Sequence, residues 1–118
     1  PLDDFRLLAA LHPTVTFILA HWGGLLPLRG GGPLPDNVYF DTAASPLLYG
    51  QDIWRRFCTQ VPAERVLFGS DFPLNLYPGI DPLPTMERLI AEVHRSELDA
   101  AALRVVVRDN ARRLLRLE

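Results

Sequence analysis

Lysine is absent from this chain, so all 12 of its basic residues are arginine. They lie mainly on helical segments, where a solvated helix face accounts for them. With 14 acidic residues the net charge is -2. That leaves no electrostatic case for nucleic acid or an anionic membrane as a partner. Cysteine is nearly absent: Cys58 is the only one. A disulfide within the chain and a cysteine-based zinc site are both excluded. A reducing, cytoplasmic setting is the default expectation. No apolar run approaches the roughly 20 residues that a membrane helix needs. No nucleophile elbow is present, because Gly69-Ser70-Asp71 lacks the flanking Gly-x-Ser-x-Gly pattern. Gly30, Gly31 and Gly32 lack the spacing of a phosphate or dinucleotide loop. No targeting segment is visible, but the chain begins at Pro1 rather than Met, so that absence carries no weight.

What is present suits a globular α/β core. The 118 residues are 48% hydrophobic, which argues against disorder. Leu2 to Leu11 reads as a helix end, stopped by Pro13. Val15 to Ala20 is a β-type run without alternation, as expected of a parallel strand covered on both faces. A Gly- and Pro-rich stretch from Gly23 to Pro35 holds a short helix near Leu25 and Leu26, then a loop. Asn37 to Thr42 is a second strand. Gln51 to Gln60 is a helix with Ile53, Trp54, Phe57 and Cys58 in an apolar stripe. Arg65 to Ser70 is a third strand, followed by a loop containing Pro73, Pro78, Pro82 and Pro84. Thr85 to Arg95 is helical, with Met86, Leu89, Ile90 and Val93 inward. Ser96 fits an N-cap with Asp99 three positions on. A last helix or helix pair carries Leu103, Val106, Val107, Ala111, Leu114 and Leu115. Strands alternating with helices mean a parallel sheet with crossover helices. Three such strands leave two open edges, so we expect a piece of a larger α/β structure.

Two strands end in groups able to bind a metal or move a proton. Phe17-Ile-Leu-Ala-His21 closes on an imidazole, and Val66-Leu-Phe-Gly-Ser-Asp71 closes on a carboxylate. The C-terminal tips of strands are where α/β proteins place their chemistry. Period-two counting puts Leu19 and Phe17 on the face of His21, and Gly69 and Leu67 on that of Asp71. If one face is a barrel interior, both tips can share its mouth. Gly69 leaves room there for a metal or a neighbouring ligand. Pro73 ends the third strand and holds the Asp71 carboxylate at the rim. Asp41 ends the middle strand at the same rim. It can orient a histidine ligand, contact substrate or cap the following loop. Ser45 and Tyr49 are further candidate substrate contacts. His12 and His94 read as helix-end or solvated residues, and Asn110 as a cap or hydrogen-bond anchor.

Four motifs in order carry a resemblance that runs nearly end to end. They are His12-Pro13 followed by Phe17-Ile-Leu-Ala-His21-Trp-Gly-Gly24, Asn37-Val-Tyr-Phe-Asp41-Thr42, Arg65-Val-Leu-Phe-Gly-Ser-Asp71-Phe-Pro73, and Asn110-Ala-Arg-Arg-Leu-Leu115. Together they resemble the amidohydrolase-related family. Its members are metal-dependent (β/α)8 barrels, among them aminocarboxymuconate-semialdehyde decarboxylase, related acid decarboxylases and lactone hydrolases. The resemblance implies that residues 1–118 are a partial TIM-barrel domain, the C-terminal three βα units. His21 would end strand six and Asp71 strand eight. The resemblance also implies roles. Asp71 binds a divalent metal, zinc or alternatively manganese, and holds or deprotonates its water. His21 binds a second metal or assists proton transfer. The family's His-x-His pair on strand one and its strand-five histidine have no counterpart here.

The expected function is part of a metal-dependent hydrolase or nonoxidative decarboxylase with a small carboxylated or cyclic substrate. His21 and Asp71 are its catalytic and metal residues, and Asp41 and Tyr49 its substrate contacts. The isolated chain is expected to be inactive. The remainder of the barrel, or a homo-oligomer partner, would complete it. The alternative is a truncated non-catalytic α/β module that packs against a partner chain through its open sheet.

Overall fold

A computed structural model describes residues 3–73 and 86–118. Three strands pair in parallel in the order β1-β2-β3: Phe17–Leu19, Val38–Asp41 and Val66–Leu67. Helices lie between and after them, as the alternating pattern predicts. The strands are shorter than their apolar runs because each run leaves the ladder early. Beyond β3, the Phe68 N–H donates to the Val106 carbonyl at 3.0 Å instead of to a strand. That carbonyl belongs to a π turn, Val105–Asp109, set between the helical stretches Ala100–Arg104 and Asn110–Leu115.

Register decides which side of the sheet is covered. Leu19 pairs with Phe40, which pairs with Val66. All three are buried with Val38 against the helices. Their neighbours Ile18 and Tyr39 pair on the opposite face, where Ile18 is 45% exposed. Within these three strands of the expected barrel, one face is packed by helices; on the other, Leu67 is buried while Ile18 is exposed. The covered side is an aromatic core. Trp22 meets Trp54 edge-on at 5.0 Å and Phe57 at 4.9 Å, and Phe57 meets Phe40 at 5.1 Å. Such tilted contacts suit the ring quadrupoles.

The Ile53–Cys58 helix buries Ile53, Trp54 and Phe57, as its stripe predicts. Cys58 is half-buried, and burial pushes its thiol up to about 11. It stays protonated at neutral pH. The Glu87–His94 helix departs from expectation. Its buried residue is Glu92, while Ile90 is 48% exposed. Thr85, Pro78, Pro82 and Pro84 lie outside the described residues. Ser96 is not an N-cap. Asp99 caps the next helix by accepting from the Ala102 N–H at 2.8 Å. Ser96 is buried instead, one helical turn beyond Glu92.

Two asparagines tie the connections to the sheet. Asn110 is buried and donates to the Ala63 and Val66 carbonyls, both at 2.7 Å. Asn37 donates to the Ala9, His12 and Val15 carbonyls, securing the first helix, Asp4–Leu11, below β1. Each amide replaces water at carbonyls that no ladder reaches. Arg65, whose guanidinium burial lowers its pKa, does the same for Val38 and Pro35. No described helix is long and apolar enough to cross a membrane.

Candidate active site

The chain does not carry β1 straight on to His21. From His21 to Leu25 every φ is positive, at 55, 56, 60, 57 and 63°. This is a left-handed turn, and three of its residues are not glycine. Such a conformation costs about 1–2 kcal/mol for each residue with a Cβ. It persists only where tertiary bonds over-determine it. Gly23 is required here for a second reason: an added Cβ would sit 2.7 Å from Phe40 Cδ1.

Besides its own Gly24–His21 and Leu25–Trp22 backbone bonds, the turn is held by long-range bonds from the end of β2 and the residues after it. The His21 N–H donates to Asp41 Oδ1 at 3.0 Å. The same oxygen accepts the Ala43 N–H at 3.0 Å. His21 Nδ1 lies 2.9 Å from the Ala43 carbonyl oxygen. A carbonyl can only accept, so Nδ1 carries the proton, and Nε2 of the neutral ring is left as an acceptor. Tyr49 donates its hydroxyl to the His21 carbonyl at 3.2 Å. Trp22 donates its indole N–H to Ser45 Oγ at 2.8 Å.

Period-two counting does not describe these tips. Leu19 shares the helix-covered face with Phe40 and Val66, while Leu67 pairs with Asp41 on the other. Straight extension would send His21 and Asp71 to opposite faces. The left-handed turn ends the alternation at Leu19, so His21 is placed by its bonds to the β2 tip. It lines a cleft of about 490 Å³ with Ile18, Ala20, Leu48 and Tyr49.

Asp71 is four residues beyond β3, exposed, with a positive φ of 57°. Among the described residues it caps no N–H; Ser70 Oγ accepts the Phe72 N–H at 3.1 Å. No hydrogen bond joins Asp71 to the His21 group among the described residues. The space over Gly69 is filled by Asp41, whose Cβ and Cγ would lie 3.2 Å from an added methyl. That space is therefore bordered by a second-strand carboxylate. His12 and His94 are exposed, and Ser45 is fully buried.

A sequence profile described as amidohydrolase matches residues 3–117. The chain belongs to that family. No curated protein matches it. Among solved structures, 5-carboxyvanillate decarboxylase from Sphingomonas paucimobilis matches at TM-score 0.72 and 17% identity. The match covers 98% of this chain and 38% of that one. A dihydroxybenzoic acid decarboxylase from Polaromonas sp. JS666, with bound manganese and the inhibitor 2-nitroresorcinol, matches at 0.69 and 17%, over 93% and 36%. The 4-oxalomesaconate hydratase from Rhodopseudomonas palustris matches at 0.65 and 25%, over 91% and 37%. These likenesses show the fold: the amidohydrolase chain, with its three parallel strands and their helices, is part of a (β/α)8 barrel. It spans little more than a third of each of these structures.

The family implies a metal, and the donors of this amidohydrolase chain fit one in kind. Among the described residues neither His21 Nε2 nor the Asp71 carboxylate takes a hydrogen bond. They do not fit in number. A catalytic zinc takes three protein ligands, and no three His, Cys, Asp or Glu residues converge among those described.

One polar centre escaped the sequence reading. Glu92 Oε1 accepts from Ser45 Oγ and Trp54 Nε1, each at 2.9 Å. With the Trp22–Ser45 bond, this links the His21 turn to the Glu87–His94 helix. Burial raises the Glu92 pKa, and the two hydrogen bonds and Arg95 oppose that rise. A signal was available: Leu89, Glu92, Val93 and Ser96 share one helical face at spacings of three and four.

Proposed function

We propose that residues 1–118 are a partial barrel domain supplying His21 and Asp71 to the active site of a metal-dependent hydrolase or nonoxidative decarboxylase. The observation that carries this reading is the His21 Nδ1 bond to the Ala43 carbonyl, in a chain matched by the amidohydrolase profile over residues 3–117. That bond leaves Nε2 free to hold a metal or move a proton, the property a tip histidine needs. Asp71 and His21 would hold the metal, zinc in the first instance and manganese in the second. A divalent metal held there would supply a water of lowered pKa and a Lewis acid for a substrate oxygen. Asp71 takes a proton. In the alternative role, with the metal left to Asp71 and the remainder of the barrel, His21 Nε2 first accepts the proton taken from the water and then passes it to the substrate, or in that protonated form donates to developing charge. Tyr49 and Asp41, the latter through Oδ2, contact the substrate.

The substrate class is small, cyclic and carboxylated. The decarboxylases among the similar structures support that choice. The chain alone is inactive, and the remainder of the barrel provides the missing ligands. A cytoplasmic setting accords with the lone Cys58.

A second reading is a non-catalytic module that packs on a partner chain. It is favoured by exposed apolar side chains: Ile18 of β1 at 45%, and Phe5 and Leu11 of the first helix at 38% and 65%. The test compares metal content and turnover of the natural protein with those of its Asp71→Ala and His21→Ala variants, using a panel of hydroxybenzoates and lactones. Loss of bound metal and of turnover is expected for Asp71→Ala, and loss of turnover for His21→Ala. Wild-type values in both variants would refute the assignment. Absence of metal and turnover in the parent would favour the module.

A further inference from the structure

We infer that Asp41 is a positioning residue that selects the Nδ1–H tautomer of His21. Only the relevance to catalysis rests on the proposed function; the positioning itself is a property of this chain. One carboxylate oxygen, Asp41 Oδ1, accepts from His21 N and from Ala43 N, each at 3.0 Å. It thereby holds both ends of a third bond, His21 Nδ1 to the Ala43 carbonyl at 2.9 Å. The circuit closes through His21, Asp41 and Ala43 alone. Two of its three bonds end on that one oxygen.

The His21 backbone is left-handed, a conformation a residue with a Cβ does not adopt without compensation. Hydrogen bonds to an ionised acceptor are roughly twice as strong as neutral ones. Ala43 is followed by Ala44, itself at φ 52°, so two strained turns meet at one oxygen. Gly69 is what lets that oxygen lie there, because its missing Cβ is the space that Asp41 fills. Without the carboxylate, His21 N and Ala43 N lose their acceptor. The ring then has no fixed relation to the Ala43 carbonyl, and either nitrogen can carry the proton.

Asparagine keeps an oxygen at the same place; alanine and serine do not reach. The readout is the pair of imidazole ¹⁵N shifts of His21 in the metal-free natural protein. They are recorded above the titration range of histidine and assigned by His21→Gln. Wild type and Asp41→Asn should show one tautomer, with the proton on Nδ1. Asp41→Ala and Asp41→Ser should show both, with the Nε2–H form populated. A single Nδ1–H tautomer in whichever of Ala or Ser folds would overturn the inference. Loss of that tautomer in Asp41→Asn would do the same. If neither Ala nor Ser folds while Asn does, Asp41 serves folding and the positioning role fails. The measurement uses neither metal nor turnover, so its outcome is separate from the fate of the proposed activity.

Discussion

Trp54 donates its indole N–H to the buried carboxylate of Glu92 at 2.9 Å, across 38 positions of sequence. Ser45 reaches the same oxygen. Removing Glu92 strands two buried donors, and each stranded donor costs about 1–3 kcal/mol. Glu92→Ala should lower stability by about 2–4 kcal/mol. Glu92→Gln keeps an acceptor and should cost less. Urea unfolding midpoints of the two variants rank them.

The same carboxyl makes stability depend on pH. Its folded pKa lies above the ordinary 4.5, so between those values the folded state binds more proton than the unfolded one. Stability from this group is therefore fully present below 4.5 and is lost as pH rises through the folded pKa. The stability difference between wild type and Glu92→Gln should move against wild type over that interval. A difference that stays flat with pH would contradict the raised pKa.

Gly23 allows no side chain. At φ 60°, with Phe40 Cδ1 2.7 Å from an added Cβ, Gly23→Ala combines left-handed strain with a clash against a core ring. We expect a loss of about 2–4 kcal/mol, visible as a lower thermal midpoint. An unchanged midpoint would mean that the turn is not left-handed in solution.

Gly69→Ala is a milder change with a different signature. The added methyl would sit 3.2 Å from the Asp41 Cβ and Cγ. We expect a stability loss of about 1 kcal/mol and a larger relative loss of turnover, because Asp41 is displaced from His21. Loss of stability with full turnover would separate Asp41 from the chemistry.

Much of the architecture was legible because it follows hydrophobic period. The apolar runs ending near His21, Asp41 and Asp71 each contribute a parallel strand, and the stripe of Ile53, Trp54 and Phe57 faces the core. Asn110 proved to be an anchor, since a buried amide needs internal partners. Period also misled. Ile90 was expected inward by its apolarity, yet Glu92 is buried because Ser45 and Trp54 supply its hydrogen bonds. Ser96 resembled a cap, yet Asp99 has the extended backbone that a cap requires.

The sequence by itself determined the order of strands and helices, the family, and the identity of the two tip groups, because spacing and residue type are local properties. Where those groups point was decided by the tertiary structure. Nothing local announces that His21 and Trp22 adopt positive φ. Asp41, Ala43, Ser45 and Tyr49 hold them there from 20 or more positions away. A conformation strained in isolation becomes the stable one only when bonds formed elsewhere in the fold outweigh its cost.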